Sequence, residues 1–128
     1  MILRRAEFVE LLHQHAADWI QLDPTWCGGI SETMRLAHLA EAFNVPVTTH
    51  DCTGPLTWLA GMHVNASVAA CAWQETVRAH VRSIYSDLSE PDIHIEKGWA
   101  SLPTGAGLGA RLNPALFSSH NPTYRVSK

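Results

Sequence analysis

At 128 residues the chain is long enough for one small domain with a usable core. Hydrophobic residues make up 46% and charged residues 16%, a balance that argues for a globular fold and against disorder. A net charge of −3 and a pI near 6.2 leave no basic footprint, which argues against nucleic acid as the main partner.

The opening MILRRAEFVELL is broken by charges and does not read as a secretory signal. Arg4 to Ala17 is expected to be helical, with Phe8, Leu11, Leu12 and His15 on one face and Glu7 and Glu10 on the other. Trp19 to Leu22 reads as a short strand ending at Asp23. Pro24 to Gly29 reads as a turn, since paired glycines accept backbone angles that other residues avoid. Ser31 opens the next helix, whose apolar stripe is Leu36, Leu39, Ala40 and Phe43, with Asn44 closing it. Val45 to Thr49 is a second strand ending at His50. Asp51 to Pro55 is a loop, and Pro55 suits the first position of a helix running to about Ala69. Cys71 to Gln74 is a third strand, ending at Glu75.

The longest apolar stretch, Leu56 to Trp73, contains His63, Asn65 and Ser67 and reads as a buried helix followed by a strand, not a membrane span. Cys27, Cys52 and Cys71 form no CxxC pair, which points to reduced thiols in a cytoplasmic protein. The alternation of helix and strand predicts an α/β fold with a parallel sheet over residues 1–75. Residues 76–128 read as a tail packed on it and not as a second domain. Within that tail, Thr76 to Ser89 is expected to be partly helical and Ile93 to Ser101 to form a hairpin over Lys97-Gly98. Pro103 to Gly109 reads as a turn, Asn113 to Phe117 as a helical turn and Tyr124 to Val126 as an extended piece.

Asp23, His50 and Glu75 each follow a predicted strand, 27 and 25 residues apart. In parallel α/β architectures the reacting groups gather at the carboxyl ends of the strands. If the strands are neighbours, the three side chains meet at one mouth. A neutral imidazole takes a proton near pH 7, and a carboxylate on its other nitrogen fixes the tautomer and stabilises the cation. Asp23 and His50 fit those roles, and Glu75 could hydrogen-bond a substrate oxygen that gains charge, or could donate a proton if its site is apolar enough. Spacing alone leaves open that all three are ordinary polar loop residues. No HExxH or Cys/His pair has metal-ligand spacing, and His38, His63, His80, His94 and His120 read as surface or helix residues. His13 and His15 are expected on different helix faces. Trp26, Trp58, Trp73 and Trp99 read as core or interface residues.

The words around these positions carry a resemblance. Asp23-Pro24-Thr25-Trp26-Cys27-Gly28-Gly29-Ile30-Ser31-Glu32 is similar to the segment after the sixth barrel strand in the mandelate racemase/muconate lactonizing enzyme group of the enolase superfamily. Pro46 to Pro55, with Thr49-His50-Asp51-Cys52-Thr53-Gly54, resembles the segment after the seventh strand in the acid-sugar, galactonate-type dehydratases. Gln74-Glu75 resembles the end of the eighth strand. Leu102-Pro103 through Gly107-Leu108-Gly109 resembles the family's tail, with Ala106 where proline is usual.

The resemblance implies a (β/α)8 barrel of which this chain supplies about three βα units, strands six to eight, and the tail. It implies a magnesium-dependent enzyme that takes the α-proton from a sugar-acid carboxylate and then expels a β-hydroxyl. Asp23 and His50 would be the acid/base dyad and Glu75 the neighbour of the substrate carboxylate. The same family logic puts the magnesium ligands and the capping domain in sequence absent here, and no ligand for the ion is identified in this chain. Two functions follow as expectations. One is the catalytic-barrel portion of a dehydratase, inactive alone. The other is a non-catalytic remnant or interaction module that associates with itself, or with a chain supplying the rest of the barrel, through exposed sheet edges.

Overall fold

The structure is a computed structural model and describes residues 4–117. Helix α1 spans Arg5–His13 and buries Phe8 and Leu12, which are one turn apart, while Glu7 and Glu10 stay in solvent. It stops short of the expected Ala17. The Ala16 N–H closes onto the Leu11 carbonyl and the His15 N–H onto that of Leu12, turning His15 to φ 49°. His15 is therefore exposed past the helix end and shares no face with Phe8, so the expectation that it continues the apolar stripe is corrected.

Three short strands follow: β1 at Ile20–Leu22, β2 at Val47–Thr49 and β3 at Cys71–Gln74. They form one parallel sheet in that order. The crossovers are α2, Ile30–Ala42, and α3, Pro55–Ser67, as the alternation of patterns predicts. Alternate strand residues point to opposite faces. Ile20, Leu22 and Val47 pack against Phe8, Leu12, Leu36, Ala37, Ala40, Val64 and Val68 in one apolar cluster. Gln21 lies between two buried neighbours and is exposed, on the opposite face.

The helix ends follow local chemistry. Gly28 and Gly29 sit at φ 97° and 101°, which a side chain would strain, and bring the chain from β1 into α2. Asn44 closes α2 in the left-handed region at φ 56°. Pro55 begins α3, where a missing N–H costs no helical bond. Helix α3 is apolar nearly all round because it serves two cores. Val64 and Val68 pack toward the sheet, while Trp58, Leu59 and Met62 form a second cluster with Tyr85.

That second cluster is covered by the segment after β3. Short helices α4, Arg78–Val81, and α5, Ile84–Leu88, lead to β4, Ser89–Glu90. The hairpin of β5, Ile95–Glu96, and β6, Trp99–Ala100, turns at Lys97 and Gly98, both at positive φ as expected for a tight two-residue turn. Strand β7, Arg111–Leu112, returns to pair antiparallel with β4, a long-range contact without local signal in the sequence. A 3-10 turn at Pro114–Phe117 closes the described chain. The expected extended piece at Tyr124 to Val126, and His120, lie outside the described residues.

Of the four tryptophans expected in cores or interfaces, Trp58 is buried at 3% exposure, whereas Trp73 and Trp99 are 67% and 81% exposed. Trp73 stands on the edge strand β3 and Trp99 on the two-stranded hairpin, and among the described residues nothing buries them. Among the described residues no helix is long and apolar enough to cross a membrane.

Candidate active site

Asp23, His50 and Glu75 stand at the carboxyl ends of β1, β2 and β3, and the parallel order brings them to one mouth of the sheet. The backbone continues the ladder just past the strands. The His50 N–H donates to the Leu22 carbonyl and the Glu75 N–H to that of Thr49, each at 2.8 Å. These bonds fix the three Cα positions before any side chain is considered.

The Asp23 side chain is 3% exposed and fully engaged. Its Oδ1 accepts the Thr25 N–H at 2.7 Å and the Trp26 N–H at 3.2 Å. Its Oδ2 lies 2.7 Å from Nδ1 of His50. With the carboxylate as acceptor, the proton on Nδ1 is the donor, and a neutral ring then presents Nε2 as the atom able to accept a proton. That nitrogen faces the mouth, 3.7 Å from Glu75 Oε2. The imidazole is 17% exposed and the Glu75 side chain 43%, so the pair lies at the boundary between core and solvent.

Trp26 is half exposed and lies against the imidazole, ring centroids 5.0 Å apart at a 40° tilt. It therefore borders the site and is not a core residue. A cleft of about 340 Å³ runs from here along the outer edge of β1, with Trp19, Gln21, Asp23, Trp26, Cys27 and His50 among its walls. Burial pushes the Cys27 thiol above its ordinary range, which keeps it protonated and a poor nucleophile at neutral pH.

Two partnerships lay outside the sequence reading. Gln21 donates from Nε2 to Glu75 Oε2 at 2.5 Å, joining the first strand to the third across the site. Asp51, beside His50, is wholly buried and accepts the Tyr85 hydroxyl on Oδ2 at 2.6 Å. Its Oδ1 takes the N–H groups of Thr53 at 3.2 Å and Gly54 at 3.3 Å, which shapes the loop that carries His50. An Asp two or three residues before a Gly is a usable turn signal, whereas nothing local points to Tyr85 as its partner.

Magnesium prefers several hard oxygen ligands around one point. Among the described residues no group of three or more His, Cys, Asp or Glu side chains could hold a metal ion. Both Asp23 oxygens are already committed to N–H donors. The donor set among the described residues does not fit the ion.

The chain belongs to the enolase C-terminal domain-like family, whose model matches residues 1–116. Within the enolase superfamily its relatives lie in the mandelate racemase/muconate lactonizing enzyme group and among the acid-sugar dehydratases. The chain is 28% identical to the arabinonate dehydratase of Saccharolobus solfataricus over 118 residues, covering 91% of this chain and 31% of that protein. It is 30% identical to the D-xylonate dehydratase of Haloferax volcanii over 110 residues, covering 86% and 26%. Among solved structures, an enolase protein from a Sargasso Sea environmental genome matches at 40% identity with a TM-score of 0.79, over 88% of this chain and 30% of that one. A mandelate racemase/muconate lactonizing enzyme from Sulfitobacter sp. matches at 30% identity with a TM-score of 0.82, over 98% and 31%. The chain thus spans between about a quarter and a third of the length of these relatives.

Proposed function

We propose that this chain carries the proton-handling side of an acid-sugar dehydratase, as strands six to eight of a (β/α)8 barrel with their tail. The observation that carries the reading is the 2.7 Å contact of a buried Asp23 carboxylate with Nδ1 of His50, which leaves Nε2 turned to the open mouth. A buried anion on one ring nitrogen orients the imidazole and stabilises its protonated form as a proton arrives on the other.

In this reading His50 exchanges one proton with a sugar-acid substrate through Nε2. Removal of the α-proton leaves its electron pair delocalised into the carboxylate as an enediolate. Nε2 of His50 holds that α-proton; the electron pair then forms the bond between the α- and β-carbons and breaks the bond to the β-hydroxyl, which takes the proton back from Nε2 and leaves as water. The net change is loss of one water and formation of an enol, which tautomerises to a 2-keto-3-deoxy acid. Glu75 lies beside Nε2, where it would face the polar end of the substrate. The names of the dehydratase relatives support a sugar-acid carboxylate as the substrate class. In the wider family magnesium supplies charge stabilisation of the enediolate, and the residues of this chain contribute the proton transfer and its orientation.

A second reading is favoured by the sheet itself. Strands β1 and β3 are both edges, and Trp19, just before β1, and Trp73, on β3, are 46% and 67% exposed. Bare parallel edges and uncovered tryptophans are a docking surface for further βα units. On this reading the chain is a non-catalytic module that associates with itself or with a chain supplying those units, and light scattering of the purified protein would return more than a monomer mass.

One experiment tests whether the dyad works unaided. The purified protein is incubated in D₂O with magnesium and a panel of aldonic acids, and deuterium at C2 is followed by NMR. Exchange that disappears in His50→Asn supports the proton-transfer role. Exchange that survives the substitution, or a wild-type chain that exchanges nothing, overturns the idea that the dyad works unaided.

A further inference from the structure

We propose that Gln21 is a positioning residue of this site, holding the Glu75 carboxylate against Nε2 of His50. The proposal deepens the dehydratase reading and rests on it only for the word "site"; the geometry stands by itself.

The placement begins with the pleat. Residues of β1 alternate, so Ile20 and Leu22 are buried against the helices and Gln21 points to the opposite face. Thr48 pairs with Gln21 in register and lies on the same face. On β3 simple alternation would fail. Counting from Cys71, which pairs with Val47 on the helix side, residue 72 would point inward, 73 to the helices, 74 inward and 75 to the helices. The register instead shifts by one, so that Thr48 pairs with Trp73 and Thr49 with Gln74, leaving Ala72 as an extra, unpaired residue. A bulge of this kind re-aims every side chain after it.

The consequence is visible on both faces. Gln74 turns toward α3, where its Oε1 accepts the Thr49 hydroxyl at 2.6 Å and lies 3.3 Å from Asn65 Nδ2. Gly61 makes room for that amide, because a Cβ there would come within 2.5 Å of Gln74 Oε1. Glu75 turns inward, toward His50 and Gln21. The bulge thus exchanges which of two adjacent polar side chains enters the site.

Once inward, the Glu75 carboxylate is long and partly solvated, and such a side chain wanders among rotamers unless held. Among the described residues its hydrogen-bond donor is Gln21, at 2.5 Å to Oε2, the same oxygen that lies 3.7 Å from Nε2 of His50. A glutamine suits this task where lysine or arginine would not. Its amide donates to the carboxylate without bringing a counter-charge, so the full negative charge of Glu75 remains beside the imidazole. A leucine at this position would fill similar space and donate nothing.

The test reads geometry and needs no turnover. In the full chain, ring ¹⁵N and Cε1–H signals of His50 are compared for wild type, Gln21→Leu, Glu75→Ala and the double variant. Gln21→Leu is expected to move the His50 ring signals while those of His63 and His80 stay in place. In the Glu75→Ala background the same change is expected to move them no further. The side-chain amide pair of Gln21 is expected to shift in Glu75→Ala, which keeps the proposal testable even if Gln21→Leu folds poorly. His50 signals unmoved by Gln21→Leu, or moved equally with and without Glu75, would overturn it. Loss of the dehydratase reading through unaltered exchange in His50→Asn would leave these spectra untouched, so the two failures are distinguishable.

Discussion

The two sides of α3 differ in what they ask of the chain. On the sheet side, apolar residues from α1, α2 and three strands interlock in a cluster of regular elements, and the site is built on the carboxyl ends of the strands. On the far side, the second cluster is made by short helices, two-residue strands and turns, with Tyr85 as its buried anchor. The first region positions its polar residues by ladder hydrogen bonds. The second reaches the site by one side-chain bond, from Tyr85 to Asp51, beside His50. Regular structure therefore supplies the placement of the dyad, and irregular structure supplies the clamp on the loop that carries it.

The largest expected effect tests whether these two regions form one cooperative unit. Leu59 is 2% exposed in the second cluster, and Leu12 is 1% exposed in the first. Truncation of either to Ala should cost about 2–5 kcal/mol, the transfer term plus the cavity left behind. Urea unfolding followed by circular dichroism and tryptophan fluorescence should show a single transition moved to lower denaturant in both variants. A Leu59→Ala protein that loses only the fluorescence change, at unaltered midpoint by circular dichroism, would show that the segment after β3 melts on its own.

A smaller effect is expected at the clamp. Tyr85→Phe keeps the ring and removes the hydroxyl, leaving Oδ2 of a wholly buried Asp51 without that donor. The cost should be about 1–3 kcal/mol, the desolvation penalty of an unsatisfied buried acceptor. If the bond only packs the tail, His50 ring signals will be unchanged. If it also holds the loop, they will move together with those of Thr53 and Gly54.

The sheet side was legible from sequence because its signals are local. Cys71 to Gln74 is a strand with the bounds that its apolar residues imply, Pro55 does begin α3, and Asn44 does close α2. The meeting of Asp23, His50 and Glu75 followed from one-unit spacing, and the geometry brings them together. The bulge at Ala72 was not legible, since register depends on the partner strand and not on the residues within one strand. Gln21 carried no motif, and its role exists only because that bulge aims Glu75 inward. The pairing of β4 with β7, and the bond of Tyr85 to Asp51 across α3 and β3, join residues about 20 to 35 positions apart, and no local periodicity or spacing marks such partners. Trp73 and Trp99 show the opposite limit: hydrophobic identity predicts burial, but on an edge strand and a two-stranded hairpin that no other described residues cover they stay in solvent.

The smallest expected effect distinguishes the regions by pH. Tyr85 belongs to the second cluster, and burial first, then its hydrogen bond and proximity to Asp51, raise its phenol above the ordinary value of 10.0. Cys71 belongs to the sheet, and burial, with a further contribution from Glu41, pushes its thiol from 9.0 to about 11. In both cases the folded chain keeps a proton that the unfolded chain has lost, so the folded state binds more protons and stability falls as pH rises. For Cys71 the loss develops between pH 9 and about 11. For Tyr85 it starts near pH 10 and continues upward. Urea midpoints measured from pH 8 to 11 should therefore decline. Cys71→Ala should flatten the curve from pH 9, and Tyr85→Phe should flatten only its upper end, from a lower starting stability. A wild-type midpoint that stays level or rises over this range would contradict both assignments, because no combination of raised thiol and phenol values can stabilise the fold as protons are withdrawn.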